Sequence, residues 1–289
     1  MNMSDTTSSS VSAVGTPSAL VSPLPSVTAI LWIAWFSLRE MSRRKRLLSL
    51  GAINLLPVIV VLIIRIWYPD QGGTAQLQLS VLTHEVFVPF LIPIVAIFVG
   101  VSAIGEQIED GTIVYPWTRP VRRRAIYLGR LVAAQAVASL LLAASLILCF
   151  LIMVSSGFEV ITWDFLKLYF NTFMVIFLGA FSYVGLFAAM GTFLKKPILP
   201  AILFAFIWEG LSKVPARVQE LTLRFHLLNL LDKPDAPVDD LPGLLEALLT
   251  ATVKRNPVPQ FQSVAVLLAI MLVATALGIW RLRHKEIDK

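Results

Sequence analysis

Long stretches without a charged residue are the feature of this chain that most constrains its fold. Five of them hold at least 18 residues, about the length that a helix needs to cross 30 Å of hydrocarbon. They cover residues 47–64, 86–105, 131–158, 168–194 and 256–280. In lipid, only a helix pairs every backbone donor and acceptor within one segment. The pattern therefore predicts an all-α integral membrane protein.

The composition agrees with this reading and excludes several other classes. Hydrophobic residues make up 57% of the chain and charged residues only 15%, whereas a soluble domain carries about 25% charged residues. One Cys and three scattered His leave no disulfide framework and predict no metal site. The net charge of +6 does not indicate nucleic acid, because the basic residues lie beside the apolar stretches.

The distribution of Lys and Arg predicts a sixth span and the orientation. Residues 197–213 are apolar but short, and they contain Glu209. With six spans and an inside N-terminus, the inside segments hold sixteen Lys/Arg and seven Asp/Glu, and the outside segments eight and eleven. An excess of Lys and Arg marks cytoplasmic loops. Both termini are therefore expected in the cytoplasm and the protein in the cytoplasmic membrane, in contact with its lipid.

The remaining segments complete a plan of a six-transmembrane-helix bundle preceded by an interfacial cytoplasmic helix. Trp32, Trp35 and the basic residues that follow suit the headgroup region, although an extra, ragged span is the alternative for this helix. In order, the plan has a disordered tail 1–26, an entry helix 27–46, a transmembrane domain 47–280 and a basic tail 281–289. The spans are about 47–65, 86–105, 131–154, 168–194, 197–213 and 262–280, with a cytoplasmic segment 105–130 and a long outer loop 214–261.

The cytoplasmic segment 105–130 has its acidic residues first and its basic residues last. Glu106 and Glu109 stand near its start and Arg122, Arg123 and Arg124 near its end. This order suits the dipole of a helix, which favours negative charge at its N-terminus and positive charge at its C-terminus. We expect a compact helical hairpin with one face free for a partner. The simpler alternative is that the arginines only anchor a span on the inside.

The residue order of this segment resembles the permease subunits of type-2 ATP-binding-cassette (ABC) transporters. That family shows Glu-x-Gly-Thr, an apolar stretch, Pro-Val after a small residue or Arg, a further Arg, and Gly-Lys opening the third helix. The matching positions here are Glu109, Gly111, Thr112, Arg119, Pro120, Val121, Arg123 or Arg124, Gly129 and Arg130. Arg130 replaces the more usual Lys, and Pro116 and Trp117 replace residues that are commonly aliphatic.

The resemblance implies a transport subunit driven by another chain. Segment 105–130, with Glu106 and Arg122 beside the matched residues, would couple to a separate ATP-binding subunit that holds ATP and magnesium. A second permease chain, identical or related, would help to line the pathway. No cofactor is expected in this chain, because it has no Gly-x-x-x-x-Gly-Lys-Ser/Thr phosphate loop. The implied function is export of an unidentified substrate.

Three polar residues in or near the spans are candidates for the pathway or for a helix interface. Glu209 is a functional candidate because a carboxylate within a span is costly, but it also fits a position at the outer interface. Gln135 and Asn171 fit hydrogen bonding between helices as well as substrate contact. Small residues along the fourth span indicate close helix packing: Gly179, Ser182, Gly185, Ala189 and Gly191.

Two other functions compete with transport. A membrane-embedded enzyme would need catalytic pairs such as Ser and His, yet no predicted span contains a His and Glu209 is the only acid within one. We therefore expect no enzyme. A non-transporting scaffold with the same bundle plan stays open, and so does the cargo: a drug, a lipid, a peptide and a glycan precursor all fit.

Overall fold

The structure, a computed structural model, describes residues 26–42, 45–67, 75–109, 123–155, 161–194, 196–208, 220–231 and 258–284. Within these ranges every regular element is a helix. They are α1 (Ser26–Ser42), α2 (Lys45–Asn54), α3 (Leu56–Trp67), α4 (Ala75–Leu82), α5 (Ile92–Glu109), α6 (Arg123–Val154), α7 (Trp163–Phe193), α8 (Ile198–Leu203), α9 (Leu223–Leu230) and α10 (Gln260–His284). Two π-helical segments, Thr83–Leu91 and Phe204–Trp208, join α4 to α5 and extend α8.

Five apolar helical stretches are long enough to cross a membrane, which confirms the all-helical membrane class. They are Leu48–Ile66, Ala75–Gly105, Arg123–Val154, Trp163–Phe193 and Gln260–His284. The predicted sixth span, 197–213, appears in the described residues only as the shorter apolar helix Ile198–Trp208. At about 1.5 Å per residue, these eleven residues cover about 16 Å, roughly half of the hydrocarbon thickness.

The first span bends where α2 meets α3. Pro57 cannot donate a backbone hydrogen bond, and the Leu55 N–H donates to both Gly51 O (3.1 Å) and Ala52 O (3.2 Å). The Ser145 hydroxyl of α6 donates to Asn54 O at 2.6 Å, beside the bend. A neighbouring helix thus satisfies a carbonyl at a proline bend, which is how membrane helices tolerate proline.

The helix of the second span starts well before the uncharged run 86–105, because the backbone continues as helix past Glu85. Its N-terminal part, Ala75–Leu82 and the π-helical segment, contains His84, which is buried. The ring Nδ1 lies 2.8 Å from Ser80 O. The expectation that no span contains a histidine is therefore wrong. An uncharged run marks the apolar part of a helix and leaves its polar end out.

Helices α5 and α7 pack against each other through glycine. A Cβ placed on Gly100 would lie 3.0 Å from Val184 O, and a Cβ on Gly191 would lie 3.2 Å from both the Gly105 nitrogen and Val101 O. The residue numbers rise together along both helices, so α5 and α7 run in parallel. The small residues of α7 do face neighbouring helices.

Helices α7 and α10 also pack against each other in parallel. The Ser182 hydroxyl donates to Leu267 O at 3.3 Å, and a Cβ on Gly185 would lie 3.4 Å from Met271 Cγ. Helices α5, α7 and α10 therefore all end at one end of the bundle. Because α6 begins at that end as well, we name it the coupling end.

Candidate coupling site

The coupling end of the bundle contains the two flanks of the predicted coupling segment. Helix α5 ends at Glu109 and α6 begins at Arg123. The residues between them lie outside the described part of the chain, and they include six predicted site residues: Gly111, Thr112, Arg119, Pro120, Val121 and Arg122. For these, coupling stays a prediction. Glu106 and Glu109 lie in the last turn of α5.

The described flanks of the segment belong to two transmembrane helices. Glu106 and Glu109 are residues of the last turn of α5, and Arg123 and Arg124 stand at the start of α6. The positive end of a helix dipole disfavours the two arginines there. The helical hairpin expected between these flanks lies outside the described residues and stays a prediction.

Arg123 and Arg124 are exposed at the start of α6. One guanidinium nitrogen of Arg123 donates to Arg283 O, near the end of α10, at 3.1 Å. Further along, the side chain of Tyr127 is fully buried and lies against Gly278 of α10. The N-terminal turns of α6 are thus fastened to the end of α10.

Gly129 and Arg130 point into the bundle. A Cβ on Gly129 would lie 2.8 Å from Ile33 Cβ and 2.9 Å from Ile30 O, so α1 crosses α6 at a position that only glycine permits. Arg130 is 7% exposed. Its guanidinium donates to Ala103 O of α5 at 2.8 Å and forms a 3.3 Å salt bridge with Glu40 of α1.

The three candidates for the pathway or a helix interface differ in their surroundings. Gln135 is buried and its amide donates to Ser139 of its own helix at 3.3 Å. The Asn171 amide donates to Leu230 O, at the end of α9, at 3.2 Å. Glu209 lies outside the described residues. Asn171 therefore joins two helices, whereas this hydrogen bond of Gln135 stays within α6.

A buried polar network lies at the opposite end of the bundle, where α9 packs between α7 and α10. Leu227 of α9 lies against Gly179 of α7. His226 is 2% exposed, with its Nε2 2.9 Å from Glu220 O and its Nδ1 3.2 Å from the Ser263 hydroxyl of α10. The Asn229 amide also donates to that hydroxyl, at 2.9 Å.

The donors of this network determine the tautomer of His226. A carbonyl only accepts, so the proton sits on Nε2, and the neutral Nδ1 accepts from the Ser263 hydroxyl. A Ser–His pair thus exists, although the sequence suggested none. Ser263 is fully buried and already receives the Asn229 amide. These contacts hold α9 in place and leave the hydroxyl no access to a substrate.

Acidification is expected to loosen α9. Burial lowers the pKa of His226, with the Glu220 carbonyl and carboxylate acting in the opposite direction. A histidine whose folded pKa lies below its usual value of about 6.5 stabilises the fold above that pH, and the contribution is lost as pH falls through the folded pKa. The protection factors of the α9 amides, which compare the observed exchange with the intrinsic rate at the same pH, should therefore fall as the pH falls below about 6.5.

Two variants test this pH dependence. His226→Gln should remove the pH-dependent loss of protection in α9, and His284→Gln, which changes an exposed histidine at the coupling end, should keep it. If His226→Gln retains the pH dependence of the unsubstituted chain, the assignment to His226 is wrong.

Several contacts between helices could not be predicted from the sequence. Glu40 stands among basic residues and its partner Arg130 is 90 positions away. The partners His226 and Ser263 are 37 positions apart in the predicted outer loop and the last span. Only Gly129 and Arg130 were marked in the sequence, because they match the family pattern. That pattern did not predict that both residues contact neighbouring helices of this chain.

The five long apolar helices of the described residues, several of them packed through glycines, define a multi-pass membrane protein. The chain belongs to the ABC-2 transporter family: the family model described as "ABC-2 family transporter protein" matches residues 31–287. It is thus the membrane permease component of an ABC transporter. Comparison with curated protein sequences finds no match.

Proposed function

We propose that the chain is the permease of an ABC exporter in the cytoplasmic membrane, with both termini in the cytoplasm. A separate subunit binds and hydrolyses ATP with magnesium, and a second permease chain, identical or related, completes the pathway. Segment 105–130 receives the movement of the ATP-binding subunit. The observation that carries this proposal is the exposure of Arg123 and Arg124 at the start of α6, beside the end of α10.

Arg123 and Arg124 lie where their own helix disfavours them. They are exposed at the start of α6, so their positive charges gain nothing from its dipole. Residues that break a local rule commonly serve a function. Because the segment follows α5 and precedes α6 in the sequence, a subunit docked there would move two spans together.

The relative direction of the helices supports a sixth membrane crossing and therefore an even number of spans. Helices α7 and α10 run in parallel, so the chain must return across the bundle between Phe193 and Gln260. Pro197, just before α8, lies against Gly105 at the coupling end. Further along, the Phe206 ring lies 6.4 Å from the ring of Phe90, a residue of the second span that is farther from the coupling end than Gly105. Ile198–Trp208 is therefore our candidate for the first part of that crossing.

The exposed face of α1 supports an interfacial entry helix. Trp32 and Trp35 are 70% and 63% exposed, and Leu31 and Phe36 share their face. Tryptophan is enriched at the boundary between membrane and water. With its opposite face on α6, α1 can lie along the inner leaflet.

Affinity purification from native membranes tests the proposal directly. A tagged chain extracted in mild detergent should bring down, in stoichiometric amount, a protein with a phosphate-binding loop, identified by mass spectrometry. In a Cys149→Ala background, Arg124→Cys should cross-link to that protein. Phe261→Cys, exposed at the opposite end, is the matched control and should not. Absence of an ATP-binding partner even after cross-linking would contradict the proposal and favour a scaffold.

A further inference from the structure

Arg130 connects three helices at the coupling end. It belongs to α6, donates to Ala103 O of α5, and pairs with Glu40 of α1. Ala103 lies two residues before Gly105, and Arg130 lies seven residues after the start of α6. The two flanks of the coupling segment and the entry helix therefore meet at one guanidinium.

The packing around Arg130 brings α1 close to α6 and buries most of the Arg130 side chain. Gly129 lets the backbone of α1 approach α6, since a Cβ at that position would lie 2.9 Å from Ile30 O. The Arg130 side chain is 8% exposed and that of Glu40 is 33% exposed. A charge buried to this extent depends on its hydrogen-bond and ion-pair partners, because burying a charged group is costly unless it is paired.

The first span also packs along α6. The contacts Ile33–Gly129, Asn54–Ser145 and Arg65–Ile152 follow one another along both parts of the chain. Helices α2 and α3 thus run along α6 in the same direction, after α1 has crossed it at Gly129. A displacement of α1 relative to α6 therefore acts where the first span begins.

We propose that Glu40 and Arg130 are positioning residues that make α1 move as one body with the flanks of the coupling segment. Movement applied to segment 105–130 then reaches the first span through α1 as well as the second and third spans through α5 and α6. This inference rests on the proposed coupling to an ATP-binding subunit. It assigns Gly129 and Arg130 a task inside the permease and leaves the outward contact to the residues between α5 and α6.

The first part of the test needs no partner. Amide hydrogen exchange is measured on the full chain in lipid nanodiscs. Glu40→Gln should accelerate exchange in α1 by about tenfold or more, because it weakens a charged hydrogen bond that holds the helix. Exchange in the middle of α6 should not change. The control Asp164→Asn removes an exposed carboxylate of a surface pair and should leave α1 unaffected.

The second part measures movement in the complex with the co-purified ATPase. Spin labels are placed in a Cys149→Ala background at Trp35→Cys on α1 and, separately, at Val132→Cys on α6, both exposed. ATP with vanadate should change both spectra. With Glu40→Gln the change at α1 should be lost and the change at α6 kept. Arg130→Lys retains the charge and should preserve most of the response at α1.

The outcomes separate the two proposals. An unchanged exchange rate in α1, or a full response at α1 in the Glu40→Gln complex, overturns the positioning role alone. No response at either label in the unsubstituted complex overturns the proposed function, and the positioning role with it. If Glu40→Gln does not fold, Arg130→Lys and Arg130→Gln provide the same comparison, with the first expected to respond and the second not.

Discussion

Gly191→Leu is expected to destabilise the bundle strongly. A Cβ at this position already lies 3.2 Å from the Gly105 nitrogen and from Val101 O, and leucine adds three further carbons. Side-chain atoms cannot displace these backbone atoms without separating α5 from α7. Overpacking of a filled interface costs about 1–3 kcal/mol for small additions. We expect the midpoint of thermal unfolding in detergent to fall by roughly 10 °C or more.

Gly51→Leu is the matched control for this substitution. Gly51 is also helical, but no heavy atom lies within 4 Å of its Cβ position. Leucine should be tolerated there and should improve helix propensity. The two variants are compared by gel filtration and by thermal unfolding monitored by tryptophan fluorescence. Equal unfolding temperatures would show that α5 and α7 do not pack as described.

Reversal of Arg122, Arg123 and Arg124 to Glu is expected to release the ATP-binding subunit. If the coupling segment docks on that subunit, three charge reversals replace attraction by repulsion within one contact. Recovery of the co-purified ATPase should fall by at least about tenfold, which corresponds to roughly 1.4 kcal/mol of binding free energy. Transport should be lost with it, while the permease remains in the membrane.

The control for this variant reverses the same number of charges elsewhere on the cytoplasmic side. Arg283 lies in the last turn of α10, and Lys285 and Lys289 follow it in the sequence. Their conversion to Glu should leave recovery of the ATPase nearly unchanged. Protease protection of the two termini must stay the same in both variants, because lost arginines can alter topology. Retention of the ATPase by the Arg122–Arg124 variant would refute docking through these side chains.

The sequence predicted the features that depend on local composition. Apolar length alone located five membrane helices, and the small residues of the fourth span indicated its close contacts, such as that of Gly191. It did not give the helix ends. The predicted span 86–105 stops at the charged neighbours of the run, but the helix includes His84 and continues to Glu109. Lipid restricts charge only within its hydrocarbon layer, so helix ends beyond that layer leave no apolar signal.

The contacts that fasten the bundle were not predictable, because they join distant positions. Glu40 and Arg130 each fit the description of an inside charge, and nothing in their neighbourhoods relates one to the other. Gly129 was found only through a family pattern, and the close approach of Ile33 that requires it appears only in three dimensions. The helical hairpin expected within segment 105–130 stays a prediction, because the residues between α5 and α6 lie outside the described part of the chain.

The parallel contact between α5 and α7 has a consequence for biosynthesis. Gly191 is made 86 residues after Gly105, with the whole of α6 in between. At about 5–20 residues per second, the ribosome needs roughly 4–17 s to supply the partner surface. During that interval the glycine face of α5 meets lipid or an insertion factor. The contact between α5 and α7 at the coupling end therefore forms late in synthesis. A nascent chain whose synthesis stops before α7 would expose this glycine face to the machinery that inserts it.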